Sequence, residues 1–332
     1  MLRLTTLALL ACSTPVLAQE INVYSHRQPE LIQPLVDAFT AETGIKVNVA
    51  FVDKGMAERL QAEGDRSPAD LVLTVDIARL MQIVEADVVQ PVQSDVLEAN
   101  IPETLRDPED KWFGLTARAR IVYASKDRVQ PGEVTTYEDL ASEKWRGRIC
   151  SRSGLHDYNV ALLGAIIAHH DEAYATTWAE GLRANLARKP DGGDRDQVKA
   201  IAAGECDIAI GNTYYMGQML ADPEQVPAAE SVNIVFPVFE AGGTHLNISG
   251  VAMTKSAPNK ENALKFMEWL SGDAAQKIYA ETNHEYPVKP GVERSALVAS
   301  WGDFTADATP LADIAAQRPA AVKIMETVNF DG

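Results

Sequence analysis

Between Glu20 and Val75 the apolar residues switch repeatedly between a period of two and a period of about 3.6, and no other feature constrains the fold as much. Glu20-Ile21-Asn22-Val23-Tyr24 alternates as a strand, and Leu31, Leu35, Val36 and Phe39 then recur at helical spacing within 30–42 until Gly44 stops the helix. Lys46 to Val52 alternates again, a helix follows from Met56 to Glu63, and Asp70 to Val75 reads as a third strand. That order predicts a mostly parallel sheet with crossover helices. A second round opens near Arg146, with a strand from Arg148 to Cys150, helices over about 158–169, 173–185 and 196–203, and a strand from Asp207 to Ile210. Two α/β lobes are therefore expected, in keeping with 332 residues at about 150 per domain. Thr116 to Tyr123 and Asn233 to Val238 are strand-like and suited to crossing between lobes. Helix Asn259 to Leu270 is expected to return to the first lobe and the C-terminal helices to the second. The expected division is 19–117 plus 239–294 for the first lobe and 118–238 plus 295–332 for the second.

The first 18 residues read as a secretory signal peptide: Met1-Leu2-Arg3 is basic, Leu4 to Cys12 is apolar, and Val16-Leu17-Ala18 is a small-residue cleavage pattern. Leu9 to Cys12 also loosely resembles a lipobox, although Leu10 is unusual there. No other stretch approaches the roughly 20 apolar residues that a spanning helix needs. An exported, soluble protein is expected. Its formal net charge of -17 argues against nucleic acid and anionic membranes as partners and weakly favours cationic cargo. Cleavage leaves Cys150 and Cys206, each next to an expected strand. They form either a disulfide, worth about 4 kcal/mol in the chain-entropy account, or two free buried thiols.

In open α/β sheets ligands bind beyond the carboxyl ends of strands. Ser25 to Pro29, Asp76, Ser151 to Tyr158 and Asn212 to Tyr215 fall at such ends and are expected to meet in one cleft. Tyr214 and Tyr215 stand in the polar, glycine-flanked run Gly211 to Gly217, which favours a loop or helix start. On a strand, Tyr214 would instead face a core and Tyr215 solvent. A phenolate is a hard anionic donor suited to Fe(III), and it forms near neutral pH only when a strong Lewis acid displaces a proton of pKa about 10. Arg118 and Arg120, two apart on a strand, point to one face. They either pair with carboxylates at the lobe boundary or, for Arg118, stabilise phenolates or hold an anion. Asp76 reads as the N-cap of helix Ile77 to Glu85. His169 and His170 diverge on their helix, and His156 and His284 lie closer to the cleft without ligand spacing. There is no Gly-x-Ser-x-Gly elbow, His-Glu-x-x-His or Cys-x-x-Cys, so no enzyme is expected.

Asn22 to Arg27, Ser67 to Asp76, Asp194 to Val198 with Gly211 to Tyr215, and Asn283 to Val288 together resemble the periplasmic ferric-ion-binding proteins of bacterial ABC importers. The resemblance covers nearly the whole mature chain in motif order. It implies a two-lobed, type II (Venus-flytrap) solute-binding protein that closes on Fe(III), acts as a monomer, and delivers its cargo to an inner-membrane permease with its ATPase. By the same resemblance, Tyr214, Tyr215 and Tyr158 are the metal ligands of the second lobe, His26 is the candidate from the first, and Arg118 is favoured over Arg120 beside them. This chain departs from the relatives that carry Tyr or His-Tyr in the first loop. Three phenolates neutralise Fe(III), so a neutral His26 imidazole gives a balanced site whose metal competes with protons near pH 6.5. The alternative is that His26 only hydrogen-bonds the opposite lobe and that water or carbonate completes the octahedron. A rival function is binding of a small organic cation or anion, polyamine or thiamine-like. Trp112, Trp145, Trp178, Trp269 and Trp301 all fall outside the cleft segments, which weakens it.

Overall fold

The computed structural model describes residues 19–332, and the expected signal peptide and Cys12 lie outside them. The chain opens with the anticipated rhythm: β1 Glu20–Ser25, α1 Pro29–Thr43, β2 Lys46–Phe51, α2 Met56–Glu63, β3 Leu71–Thr74 and α3 Ile77–Glu85. Pro29 starts α1, where its missing N–H would have had no helical partner, and Gly44 ends it at φ 72, a left-handed conformation that a side chain disfavours. Asp76 caps α3 by accepting from the backbone N–H groups of Ala78 and Arg79, as its position predicted. Short elements β4 Val89–Gln90 and α4 Asp95–Asn100 lead into β5, Phe113–Ser125, which is buried along its whole length.

The second round comprises β6 Ile149–Cys150, α5 Asp157–His169, α6 Glu172–Ala184, α7 Asp194–Ala202, β7 Ile208–Asn212 and α8 Thr213–Leu220. Then come α9 Val226–Ala229, β8 Val232–Val235, β9 Leu246–Thr254, α10 Lys260–Ser271, α11 Asp273–Thr282 and β10 Tyr286–Pro287, and the chain closes with α12 Ala296–Ser300, α13 Leu311–Ala316 and α14 Arg318–Thr327. No described helix is long and apolar enough to cross a membrane.

The strands run in the order β2-β1-β3-β9-β5-β7-β6, with β4 on β9 and both β8 and β10 on β5. The mostly parallel sheet expected from the opening rhythm holds only at its ends, where β1 pairs with β2 and β3, and β6 with β7. In the middle, β9 and β5 run antiparallel to their neighbours. Period alone cannot reveal this, because both strands are buried on two faces and pair with partners far away in sequence. β5 changes partner within one step: Ala119 faces Leu246 of β9, and Arg120 faces Asn212 of β7. Within the strand-like stretch Asn233 to Val238, β8 pairs with β5, and the chain reaches β9 at Leu246.

Each half of the sheet has its own core. Val23, Leu71, Leu73, Phe39 and Phe266 centre the first. Trp145, Ile149, Ile166, Ile210 and Met325 centre the second, and Ile121, Val198, Ile201 and Met216 fill the opposite face of that half. α13 lies at the seam, with Leu311 and Ala315 in the first core and Ile314 in the second. Cys150 and Cys206 form a disulfide that ties β6 to the approach of β7, which closes the alternative of two free thiols.

Candidate metal centre

β7 ends at Asn212 and α8 begins at the next residue, so Tyr214 and Tyr215 occupy a first helical turn. Neighbouring helical residues diverge by about 100°, far less than the opposite faces of a strand, and two rings can serve one site. The rings lie 4.2 Å apart, tilted by 34°. Tyr158 comes from the first turn of α5, and its hydroxyl is 3.2 Å from that of Tyr214. Tyr158, Tyr214 and Tyr215 thus all stand in first helical turns, near positive helix ends. His26, at the end of β1, completes the convergence: it lines the same cleft cavity of ≈ 210 Å³ as Tyr158, Tyr214, Tyr215 and Arg118. His26 is 9% exposed, its backbone N–H donates to the Leu73 carbonyl, and its Nδ1 has no partner among the described residues.

The turn that presents the tyrosine pair is held from below. Gly211 leaves room for the Tyr123 ring, whose hydroxyl donates to the Asn212 carbonyl. Asp194, buried at the start of α7, accepts from the Asn212 N–H at 2.9 Å and from Arg120 and Arg152 at 2.8 and 3.0 Å. Burial raises the Asp194 carboxyl, and Arg120 and Arg152 outweigh it to hold the group below its usual range.

Arg118 and Arg120 are each 2% exposed and anchored to different cores. Arg118 donates to the Val75 carbonyl, to Ser249 and to Glu285, and its guanidinium lies 5.7 Å from the Tyr214 ring centroid. Arg120 donates to Asp194, Asn212 and Asn159 and lies 5.8 Å from the Tyr158 ring. Of the two readings of Arg118, the carboxylate pairing is present, and its guanidinium also lies beside the Tyr214 ring. Its fork, however, is occupied by protein groups, leaving only Nε unpaired.

Burial, reinforced by Tyr158 and Tyr215, pushes the Tyr214 hydroxyl well above its ordinary pKa, against the pull of Arg118. Burial and the neighbouring Tyr158 and Asp194 raise Tyr215 as well. These groups stay protonated at neutral pH until a strong Lewis acid arrives. His26 behaves oppositely. Burial first, then the Arg79 cation, lowers its pKa to about 4, despite Asp157 and Asp53. The proton competition near pH 6.5 expected for a loop histidine is therefore displaced, because this histidine is not in water. Among the described residues no three His, Cys, Asp or Glu side chains gather as they would around a metal. The oxygen-rich tyrosine cluster is a hard donor set.

The family model for bacterial extracellular solute-binding proteins matches residues 25–277. Iron uptake protein A1 of Synechocystis is 46% identical over 323 residues, which is 96% of this chain and 89% of that protein. The chain belongs to the bacterial extracellular solute-binding protein family. Among solved structures, apo ferric ion-binding protein A of Pasteurella haemolytica superposes with a TM-score of 0.91 at 54% identity, covering 95% of this chain and 99% of that one. The Trichodesmium protein in complex with iron and citrate ligands superposes at 0.88 with 43% identity, covering 94% and 99%. The two-lobed type II architecture follows from these relatives, and they are binding and uptake proteins rather than enzymes.

In this solute-binding protein several cleft residues escaped the sequence. Arg27 donates to Glu285 and Ser249, and Arg152 lies 5.4 Å from the Tyr158 ring. Arg27 and Glu285 stood inside motifs already singled out, but nothing in their spacing announced a buried ion pair. Arg79 and Asp157 meet in the cleft at 2.7 Å; Asp157 stood in the Ser151 to Tyr158 segment, but nothing signalled Arg79 as its partner. His156 accepts from the Tyr158 N–H at 3.2 Å as the cap of α5, and its ring edge meets Tyr158. His284 packs against α8 at Gly217, where a Cβ would collide with its ring. His169 and His170 do part, one to Asp307 and the other to Glu138.

Proposed function

We propose that this protein binds Fe(III) in the periplasm through the phenolates of Tyr158, Tyr214 and Tyr215, and delivers it as a monomer to the permease of an ABC importer. The observation that carries the reading is the 3.2 Å approach of Tyr158 and Tyr214 hydroxyls from two helix N-termini inside one cavity. Three phenolates balance the charge of Fe(III). His26, neutral and with a free Nδ1, is the donor from the other wall. Water or an anion such as carbonate would occupy what remains. Arg118 then acts as a fixed charge beneath Tyr214. Arg152, which gives a single nitrogen to Asp194, is the guanidinium with donors to spare for an anion. The names of the relatives, iron uptake and ferric-binding proteins, support the same cargo. A division into 19–117 plus 239–294 and 118–238 plus 295–332 would put His26 and the tyrosines on opposite lobes, so that closure completes the site.

The decisive experiment is titration of the mature protein with a weakly chelated ferric salt while the visible spectrum is recorded. A phenolate-to-iron charge-transfer band that saturates at one equivalent is expected. A colourless protein that takes up no Fe(III) would favour an organic solute.

A further inference from the structure

We propose that Arg79 and Asp157 form a cross-cleft latch that sets His26 against the tyrosines, making Arg79 a positioning residue for metal retention. The inference rests on the Fe(III) reading of the same cleft. Arg79 belongs to α3, whose Ile77, Leu80 and Ile83 sit in the first core, whereas Asp157 opens α5, whose Val160, Leu162 and Leu163 sit in the second. Arg79 Nε donates to Asp157 Oδ2 at 2.7 Å, and Arg318 of α14 donates to Oδ1 at 3.1 Å. Each core thus holds one oxygen of a single carboxylate. Arg318 fixes Asp157 within its own half, which leaves Arg79 as the moving partner.

Sequence position gives this contact its reach. Asp157 directly precedes Tyr158 at the start of α5, so the contact holds the helix turn that carries the Tyr158 side chain. On the other wall, His26 and Arg79 line the cleft together, both in the cavity with the tyrosines and in an adjoining one of ≈ 400 Å³ that also holds Asp157 and Arg318. When the ion pair forms, His26 and Tyr158 are held on facing walls of one cavity. The pair is part-exposed, at 21% for Arg79 and 14% for Asp157, so its strength depends on ionic strength.

The test uses iron-loaded mature protein and follows loss of the charge-transfer band to excess EDTA. Arg79→Gln and Asp157→Asn should each speed release about tenfold, as expected when a charge pair that governs dissociation loses one partner. The double variant should release no faster than the singles, Arg79→Lys should recover part of the loss, and salt should accelerate release from the wild type but not from Arg79→Gln. The band itself should not move, because no donor has changed. Wild-type release rates in the variants, additive effects, or a shifted band would overturn the proposal. If the wild type shows no band, the Fe(III) reading falls and the latch is judged on metal-free protein. Spin labels at Phe51→Cys and Leu155→Cys, exposed positions beside the two walls, should report a short-distance population that Arg79→Gln removes. A distribution indifferent to Arg79 would end the latch.

Discussion

The hydroxyls of Tyr158 and Tyr214 stand 3.2 Å apart although 56 residues separate them in the chain. The approach depends on α5 and α8 starting at neighbouring strand ends, and β6 and β7 are indeed paired in parallel. A parallel pair places both carboxyl ends on one side, which is how two distant helices come to share a target.

Removing one phenolic oxygen should therefore abolish tight metal retention without unfolding the protein. Tyr214→Phe and Tyr215→Phe are each expected to lower Fe(III) affinity by roughly a hundredfold or more, about 2.8 kcal/mol, with a weakened and shifted charge-transfer band. Competitive titration against a chelator reads the affinity, and circular dichroism checks the fold. Near-native affinity in both variants would remove the tyrosines from the site.

The His26 contribution should persist in mild acid. With its pKa lowered to about 4, chiefly by burial, the imidazole keeps its lone pair through pH 5 and loses it only near pH 4. Comparing Fe(III) affinity of wild type and His26→Ala across pH 4.5 to 7.5 should give a constant ratio. A ratio that collapses near pH 6.5 would mean a solvated histidine.

Stability should move with pH in a defined window. His26, His156 and His245 have pKa values of about 4 in the folded protein, below the unfolded value of about 6.5. Between these values the unfolded chain binds protons that the folded one refuses, so stability is full above pH 6.5 and declines as pH falls toward 4. Metal-free protein should melt at progressively lower temperature across that interval. His245→Asn, which removes a histidine outside the cavity lined by Tyr158, Tyr214 and Tyr215, should flatten the decline.

Gly211→Ala should disturb the tyrosines from beneath. Its methyl would run into the Tyr123 ring, and that ring is pinned by its hydroxyl to the Asn212 carbonyl. Overpacking of this kind costs about 1 to 3 kcal/mol. Thermal unfolding should show the loss, and Fe(III) affinity should fall with it. A Tyr123→Phe, Gly211→Ala double variant that recovers neither would assign the effect elsewhere.

Much of this was legible in the sequence because it is local. Period marked β1 to α3, a cap marked Asp76, and the polar, glycine-bounded run around Tyr214 and Tyr215 marked a loop or helix start. What escaped depends on distant partners. The antiparallel centre of the sheet joins β5 to β9 and β7, which lie far along the chain, and two-sided burial erases the alternation that would have advertised it. Arg79 looks like any helical arginine until Asp157 is placed opposite. The pKa of His26 depends on the walls around it, which no loop sequence reports.

Where β5 exchanges β9 for β7, two cations two residues apart answer to different masters: Arg118 to Val75, Ser249 and Glu285, and Arg120 to Asp194, Asn212 and Asn159. The strand thus sets one cation beside each ring, Arg118 at 5.7 Å from Tyr214 and Arg120 at 5.8 Å from Tyr158. Because burial holds the Tyr214 and Tyr215 hydroxyls above their ordinary pKa, a metal held by them can leave at neutral pH only as protons return to those oxygens, so unloading would draw on the proton supply around the cleft.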